Sequence, residues 1–253
     1  MSGSIHPVVA VVQTRVTSSR LPGKVLKPLA GTPLIRRMLE RVLRIEGVDT
    51  VVVALAEGAA HDAVIPALEG LNVKVVRGSE TDVLARTTAA ARAVKAATVM
   101  RITSDCPLID PQASARVLAA YVAGRPSGIR YARTAFDSGY PHGFDTEVFD
   151  ADALYEAEAK ASDPYEREHA TPYIWRRPKQ FPATLIDAQP NRRDWRLVVD
   201  TPDDYRLIAA IYDALYPRNP NFGLADIVAL FKARPELLAI NANVAPPSYV
   251  GLG

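Results

Sequence analysis

The sequence predicts an α/β fold built on a mostly parallel central sheet, with an antiparallel excursion in its second half. Two features of the 253 residues carry that expectation. Over residues 8–123, short runs of β-branched and apolar residues alternate with stretches whose apolar positions keep helical spacing. That alternation is the pattern of a parallel sheet covered on both faces by helices. From 129 to 149 the pattern changes to apolar and polar residues in turn, interrupted by Gly139, Pro141 and Gly143. Such a segment predicts antiparallel strands and loops outside the parallel core.

The first expected strand is the apolar run 8–12. It leads into Q-T-R-V-T-S-S-R-L-P-G-K at 13–24, a loop with three cations, Arg15, Arg20 and Lys24, together with four hydroxyls, Pro22 and Gly23. Glycine lets backbone approach a ligand, arginine offers forked donors to phosphate oxygens, and lysine adds a compact charge. Thr32-Pro33 reads as the N-cap and first-turn proline of a helix over 33–43, with Leu34, Ile35, Met38, Leu39 and Val42 on its apolar face. Further strands are expected at 50–55, 73–76 and 98–102, and helices at 61–68, 82–95 and 111–123. Ligands of such sheets sit beyond the carboxyl ends of the strands. The loops there are 13–24, 54–58, 77–82 and 103–110. Beyond the excursion, 163–175 reads as a helix interrupted by Pro172, and 181–186 and 195–199 as short strands. Helices at 202–216 and 224–234 close the chain, and residues 241–253 read as a loose tail. No linker rich in Gly, Ser or Pro divides the chain, so residues 1–240 are expected to form one domain.

Composition narrows the function. A hydrophobic share of 48% and a charged share of 23% are ordinary for a soluble globular protein. A net charge of +2 argues against broad binding to nucleic acid or an anionic membrane, so any cationic function is local. There is no apolar run of about 18 residues and no leader pattern at the start. The single cysteine, Cys106, cannot form an intrachain disulfide, which fits a cytoplasmic location.

Four constellations carry chemistry. In R-I-T-S-D-C-P-L-I-D-P at 101–111, Asp105 falls just past a strand, across the expected crevice from the basic loop. A carboxylate there suits Mg²⁺, a hard cation that takes oxygen ligands. Asp110 before Pro111 reads as a helix cap, and Cys106 as packing. In R-L-V-V-D-T-P-D-D-Y at 196–205, Asp200 ends another apolar run, and capping accounts for Asp203 and Asp204 but less well for Asp200. Two carboxylates at two strand ends can share one divalent cation bound to a triphosphate. In R-G-S-E-T-D-V-L-A-R at 77–86, Arg77, Ser79 and Glu80 could read the edge of a base, although an unaided reading favours a plain strand-turn-helix with Asp82 near the helix start. Finally, Y-P-H-G-F-D-T-E-V-F at 140–149 and E-R-E-H at 166–169 gather histidines and acids on irregular segments, suggesting an acceptor pocket. Zinc-ligand spacing and a G-x-S-x-G elbow are both absent.

Taken in order, these segments with E-R-E-H-A-T-P-Y-I and V-D-T-P-D-D-Y resemble the cytidylyltransferase family over residues 8–215. The similarity is to the branch of spore coat polysaccharide biosynthesis protein F and, more distantly, to the enzymes that make CMP-activated 3-deoxy-manno-octulosonate and CMP-sialic acids. The resemblance implies a Rossmann-like nucleotidyltransferase fold of the GT-A type. It also implies transfer of CMP from CTP to a sugar acid or similar small acceptor, with release of pyrophosphate. Arg15, Arg20 and Lys24 would hold the triphosphate, flanked by Gln13 and Ser104. Asp105 and Asp200 would bind Mg²⁺, with Arg15, Lys24 and Asp105 as the catalytic set. Arg77, Ser79, Glu80 and Asp82 fall where the family reads cytosine and ribose. His142, Asp145 and Glu147, with Glu168 and His169, fall in its acceptor region, within an excursion over 129–190 through which members form homodimers. Two alternatives stand beside this expectation. A nucleotide-sugar-dependent glycosyltransferase would carry a D-x-D metal motif, where Ser104-Asp105-Cys106 has one acid. A cytidylyltransferase could also take a phosphonate or phosphorylated polyol.

Overall fold

The computed structural model describes residues 4–134 and 138–245. Part of the expected excursion, 135–137, and most of the expected tail, 246–253, lie outside the described residues.

Strand β1 (Val8–Thr14) is the third strand of a seven-stranded sheet and is buried along its whole length. It pairs in parallel with β4 (Thr50–Ala56) on one side and β6 (Thr98–Thr103) on the other, and β4 pairs in parallel with β5 (Val73–Gly78). Val8, Ala10 and Val12 face one core, and Val9 and Val11 the other. An apolar run without alternation is what a strand covered on both faces requires. The first face packs on α1 (Leu34–Val42), α2 (Ile65–Leu68) and α4 (Pro111–Gly124). The second packs on α3 (Val83–Ala93), α5 (Ala151–Lys160) and α7 (Pro172–Trp175), with α6 (Pro164–His169) leading into α7. Strand order places β5 and β4 on one side of β1 and β6 on the other. The chain therefore reverses its direction of growth at β1, leaving a crevice above the carboxyl ends of β1 and β6.

The excursion was expected outside the parallel core; instead it extends the same sheet. β8 (Glu147–Asp150) pairs antiparallel with β6 and with β7 (Tyr131–Thr134), and β9 (Ala183–Ile186) adds in parallel to β7. The buried run Glu147-Val148-Phe149 has its Val148 in one core and Phe149 in the other, so it needs a sheet covered on both faces.

Three local expectations are corrected. Thr32 does not cap the first helix: Thr32–Pro33 forms β3, paired with β2 (Pro28–Leu29) through Ala30-Gly31, both at positive φ, and Leu34 begins the helix. Helix α5 was not expected, because its alternating small and acidic residues give a weak apolar stripe. The segment 195–199 forms no strand; it makes a single bridge from Arg196 to His142. It bonds first to the 142 loop and then to the Asp105 carbonyl, so no continuous ladder develops.

A third apolar cluster joins Leu21, Leu29, Leu108, Phe144, Leu197 and Val199 to α8 (Pro202–Leu215) and α9 (Leu224–Ala233). This cluster gathers the basic loop, the loop after β6, the 140s loop and the approach to Asp200 on one side of the sheet.

Candidate active site

At the crevice, Lys24 lies buried with its ammonium between two carboxylates. Its Nζ stands 3.2 Å from Asp105 Oδ2 and 2.8 Å from Asp200 Oδ1, and donates to the Val199 carbonyl at 2.8 Å. Residues from three distant parts of the chain thus meet at one atom. Burial alone would lower the Lys24 pKa, but Asp105 and Asp200 outweigh it and hold the ammonium above its ordinary value. Burial would likewise raise Asp105, yet Lys24 and the Thr103 hydroxyl, which donates at 2.6 Å, keep it far below the usual carboxylate range. Asp105 is fixed further by its own carbonyl, which accepts from Val199 N–H at 2.8 Å.

Asp200 is held from the other side. Arg20 lies 3.0 Å from its Oδ2 and Arg196 3.2 Å, while Arg196 also forks onto buried Asp204 at 2.8 and 3.0 Å. Asp204 completes a capping box with Thr201 at the start of α8, as its sequence position promised. Asn241 ties the chain end into this network, donating to the Arg196 carbonyl and to Asp204, both at 2.9 Å. The expected loose tail is therefore anchored at its first residue.

The cleft over these groups is lined by Gln13, Arg15, Ser18, Ser19, Arg20, Lys24, Arg86, Ser104, Asp105, Glu168, His169 and Asp200, and has a volume of about 270 Å³. Gln13 is a brace in this wall: its amide donates to Thr87 at 2.8 Å and its oxygen accepts from Arg101 at 3.0 Å. Arg86, absent from the sequence expectation, is brought down to about 10 by burial and by Arg15 beside it. Two guanidiniums this close are a surplus of positive charge suited to a polyanion.

None of the groups expected to read cytosine and ribose, Arg77, Ser79, Glu80 and Asp82, is among the residues that line the cleft. Arg77 pairs with Asp62 at 2.5 Å away from the cleft lining. Ser79 accepts from the Asp82 amide at 3.0 Å, and Asp82 caps α3 through Ala85 N–H while binding Arg167. Glu80 accepts from the Thr17 hydroxyl of the basic loop and from His61. His61, also missed, is buried and accepts Val16 N–H at Nδ1, at 3.1 Å, which leaves Nε2–H to face Glu80. This loop is shaped by β4–α2 and β5–α3 neighbours, which no local pattern within 13–24 could reveal.

A second cavity of about 180 Å³ adjoins the first, sharing Thr103 and His169. His142, Asp145 and Glu147 line it as expected, with Arg101, Arg133, Tyr165 and Trp175 in addition. Glu147 is committed: it binds Arg101 at 2.5 Å and accepts from the Tyr131 hydroxyl. Burial would raise it, but Arg101 first and then Tyr131 hold it below its ordinary value. Asp145 accepts Gly143 N–H at 2.9 Å. His169 sits at the seam of the two cavities, its pKa lowered by burial against the opposing pull of Glu168. Glu168 lines the first cavity only. Cys106 is buried and its thiol pushed well up by burial and by Asp105, in keeping with a packing role.

The donor set can be tested against Mg²⁺. Among the described residues no group of three or more His, Cys, Asp or Glu gathers as a metal cage. Two carboxylates alone suit Mg²⁺ all the same, because that ion keeps several waters and commonly uses one or two protein carboxylates beside substrate phosphates. They already hold one cation, the Lys24 ammonium, in common.

A cationic loop and two carboxylates above the carboxyl edge of a parallel sheet, opening on a second pocket, define a nucleotidyltransferase. The chain belongs to the cytidylyltransferase family, which it matches over residues 9–222. It is 28% identical over 239 residues to spore coat polysaccharide biosynthesis protein SpsF of Bacillus subtilis, covering 92% of this chain and 97% of that protein. A 3-deoxy-manno-octulosonate cytidylyltransferase of Anaeromyxobacter dehalogenans is 37% identical over 123 residues, 46% of this chain and 48% of that one. A solved cytidylyltransferase from Leptospira borgpetersenii superposes with a TM-score of 0.86 at 27% identity, covering 92% of this chain and 96% of its own.

Proposed function

We propose that the protein transfers CMP from CTP to a small sugar acid, with Mg²⁺, in the cytoplasmic synthesis of a surface polysaccharide or glycoconjugate, acting as a homodimer. The observation that supports this most is the joint hold of Lys24 on Asp105 and Asp200 beneath a cationic cleft that opens on an adjoining pocket. An acceptor oxygen in the second cavity attacks the α-phosphorus of CTP, and pyrophosphate departs toward the basic loop. Arg15, Arg20 and Lys24 bind the triphosphate and stabilise charge as it grows on the leaving oxygens. Asp105 and Asp200 would hold Mg²⁺, which supplies Lewis-acid stabilisation of the phosphoryl oxygens when bound. Arg101 and Arg133 give the acceptor cavity a cationic wall suited to a carboxylate. His169, kept neutral at pH 7 by its lowered pKa, stands between acceptor and nucleotide and takes the proton of an acceptor hydroxyl. Gln13 and Glu147 act by fixing Arg101, which bonds both.

The two carboxylates also speak to the glycosyltransferase alternative: the acids that meet here come from separate segments, with one acid in Ser104-Asp105-Cys106. Incubating the protein with CTP, UTP, ATP or GTP, MgCl₂ and a panel of sugar acids, phosphonates and phosphorylated polyols, while following pyrophosphate, tests the assignment. Release with CTP and a sugar acid is expected. Release only with a phosphonate or polyol would reassign the acceptor, and free nucleoside diphosphate from a nucleotide sugar would overturn the nucleotidyltransferase assignment in favour of a glycosyltransferase.

A further inference from the structure

Behind the active-site loop lies a second cationic cavity that the transfer reaction leaves unused. It is lined by Arg37, Arg41, Arg44, Tyr212, Tyr216 and Asn221, with Glu40 and Pro220 at its edge, and has a volume of about 250 Å³. Arg37 and Arg41 lie one turn apart on α1, and Arg44 follows in the turn just past its end, so all three guanidiniums reach the same cavity. Arg41 is 2% exposed, and although the Tyr212 hydroxyl interacts with its guanidinium, its Nη2 makes no well-formed hydrogen bond among the described residues. Its Nε donates to the Ile109 carbonyl at 2.7 Å, and its guanidinium lies 4.8 Å from the centre of the Phe222 ring. An orphaned donor on a buried cation is costly unless a ligand or water completes it.

The local charge is not balanced from within. Glu40 is the carboxylate at the cavity, and it pairs with Arg36 and Arg37 at 3.5 and 3.0 Å. Asp110, the other acid near Arg41, spends its two oxygens on the amides of Ala113 and Leu224. Arg44 binds Asn221 Oδ1 at 2.5 Å at the exposed mouth, and Arg37 donates to the Tyr216 hydroxyl at 2.5 Å. Three guanidiniums, those of Arg37, Arg41 and Arg44, thus line the space beside one carboxylate, Glu40, and the space is smaller than the roughly 300–1,000 Å³ of drug-sized sites.

We propose that this cavity binds a small phosphate-class oxyanion, inorganic phosphate or the head of a phosphate monoester, with Arg41 Nη2 as its innermost donor. The site is tied to the catalytic loop. Arg41 carries the Ile109 carbonyl and Tyr212, 2.7 Å from the Pro107 carbonyl, carries the other end of the turn that follows Asp105. Neither CTP nor the acceptor is required for it.

Thermal unfolding of the intact protein in sodium phosphate, against sodium chloride at equal ionic strength, tests the site. The wild-type midpoint should rise saturably, by about 3 °C or more once phosphate exceeds its dissociation constant tenfold. Arg44→Glu reverses a charge at the mouth, and Asn221→Asp keeps the Arg44 acceptor while adding a negative charge there. Both should lose the saturable rise while keeping their midpoint in chloride within a few degrees. The double variant Arg15→Met, Arg20→Met strips the catalytic cleft instead and should keep it. A rise that survives Asn221→Asp and Arg44→Glu, or disappears with Arg15→Met, Arg20→Met, would place phosphate in the catalytic cleft and overturn the site. No saturable rise in the wild type would overturn it as well. None of these results bears on CMP transfer, which pyrophosphate release reads separately.

Discussion

Replacing Lys24 with methionine removes a charge and keeps the volume, which isolates what the ammonium does. Stripping one partner from a buried ion pair costs about 3–5 kcal/mol when the remaining charge is left alone. Here the loss is smaller, because Arg20 at 3.0 Å and Arg196 at 3.2 Å still face Asp200, and Thr103 still donates to Asp105 at 2.6 Å. Asp105 also retains 26% side-chain exposure, which lets water screen it. The expected destabilisation is therefore about 2 kcal/mol, or roughly 4–8 °C in the unfolding midpoint of a chain this size. Catalysis should suffer more. Loss of one preorganised donor to developing charge costs about 10²–10³ in kcat, and Lys24 adds a full charge. A third consequence follows from the shared carboxylates: with the ammonium gone, MgCl₂ should raise the midpoint of Lys24→Met more than that of the wild type. Calorimetric scans with and without MgCl₂, beside a pyrophosphate-release assay, measure all three. Turnover within threefold of wild type, or a variant indifferent to Mg²⁺, would refute the roles assigned to Lys24 and its two partners.

His169→Gln should lower kcat and flatten the acid limb of kcat/KM, which in the wild type falls as pH drops through an apparent pKa below the usual histidine value of about 6.5; an unchanged limb would remove His169 as proton acceptor. Asp105→Asn should abolish turnover and also alter acid unfolding. A depressed folded-state pKa contributes stability that is present above the unfolded value of about 3.9 and lost as pH falls through the folded one, so the variant should lose less stability on acidification below pH 4 than the wild type. Gly143→Ala should destabilise by about 2 kcal/mol or more, because φ there is +107° and a methyl group would overlap the Leu197 carbonyl. It should also weaken acceptor use before CTP binding, since His142 and Asp145 flank it; a raised KM for CTP alone would contradict that placement.

Each of the runs from 8, 50, 73 and 98 became a strand: burial on both faces writes the apolar runs of β1 and β4, whereas β5, an exposed edge, was legible only from its β-branched content. The second half was less so. Helix α5 hides in a sequence whose polar face is as regular as its apolar one, and 195–199 looks like a strand because Leu197 and Val199 are fully buried. That burial comes from the third core cluster, a tertiary cause. At the site, Lys24, Asp105 and Asp200 were readable as residues whose chemistry exceeded their capping needs. The braces were not: Arg196, Asn241 and His61 act through partners 4 to 45 positions away, and no motif marks them as such. Arg86 and Arg101 stood in view at the ends of two quoted motifs, yet only the packed walls show that they turn toward the ligand cavities.

The most direct test of the central claim is a calorimetric titration of CTP into the wild type and into Asp200→Asn, each in MgCl₂ and in EDTA. One nucleotide should bind the wild type, more tightly with Mg²⁺ than without, and Asp200→Asn should bind with the same weak affinity under both conditions. Equal wild-type affinities with and without the ion, or a Mg²⁺ effect that survives in Asp200→Asn, would contradict a single metal-bound triphosphate held between the basic loop and the two aspartates.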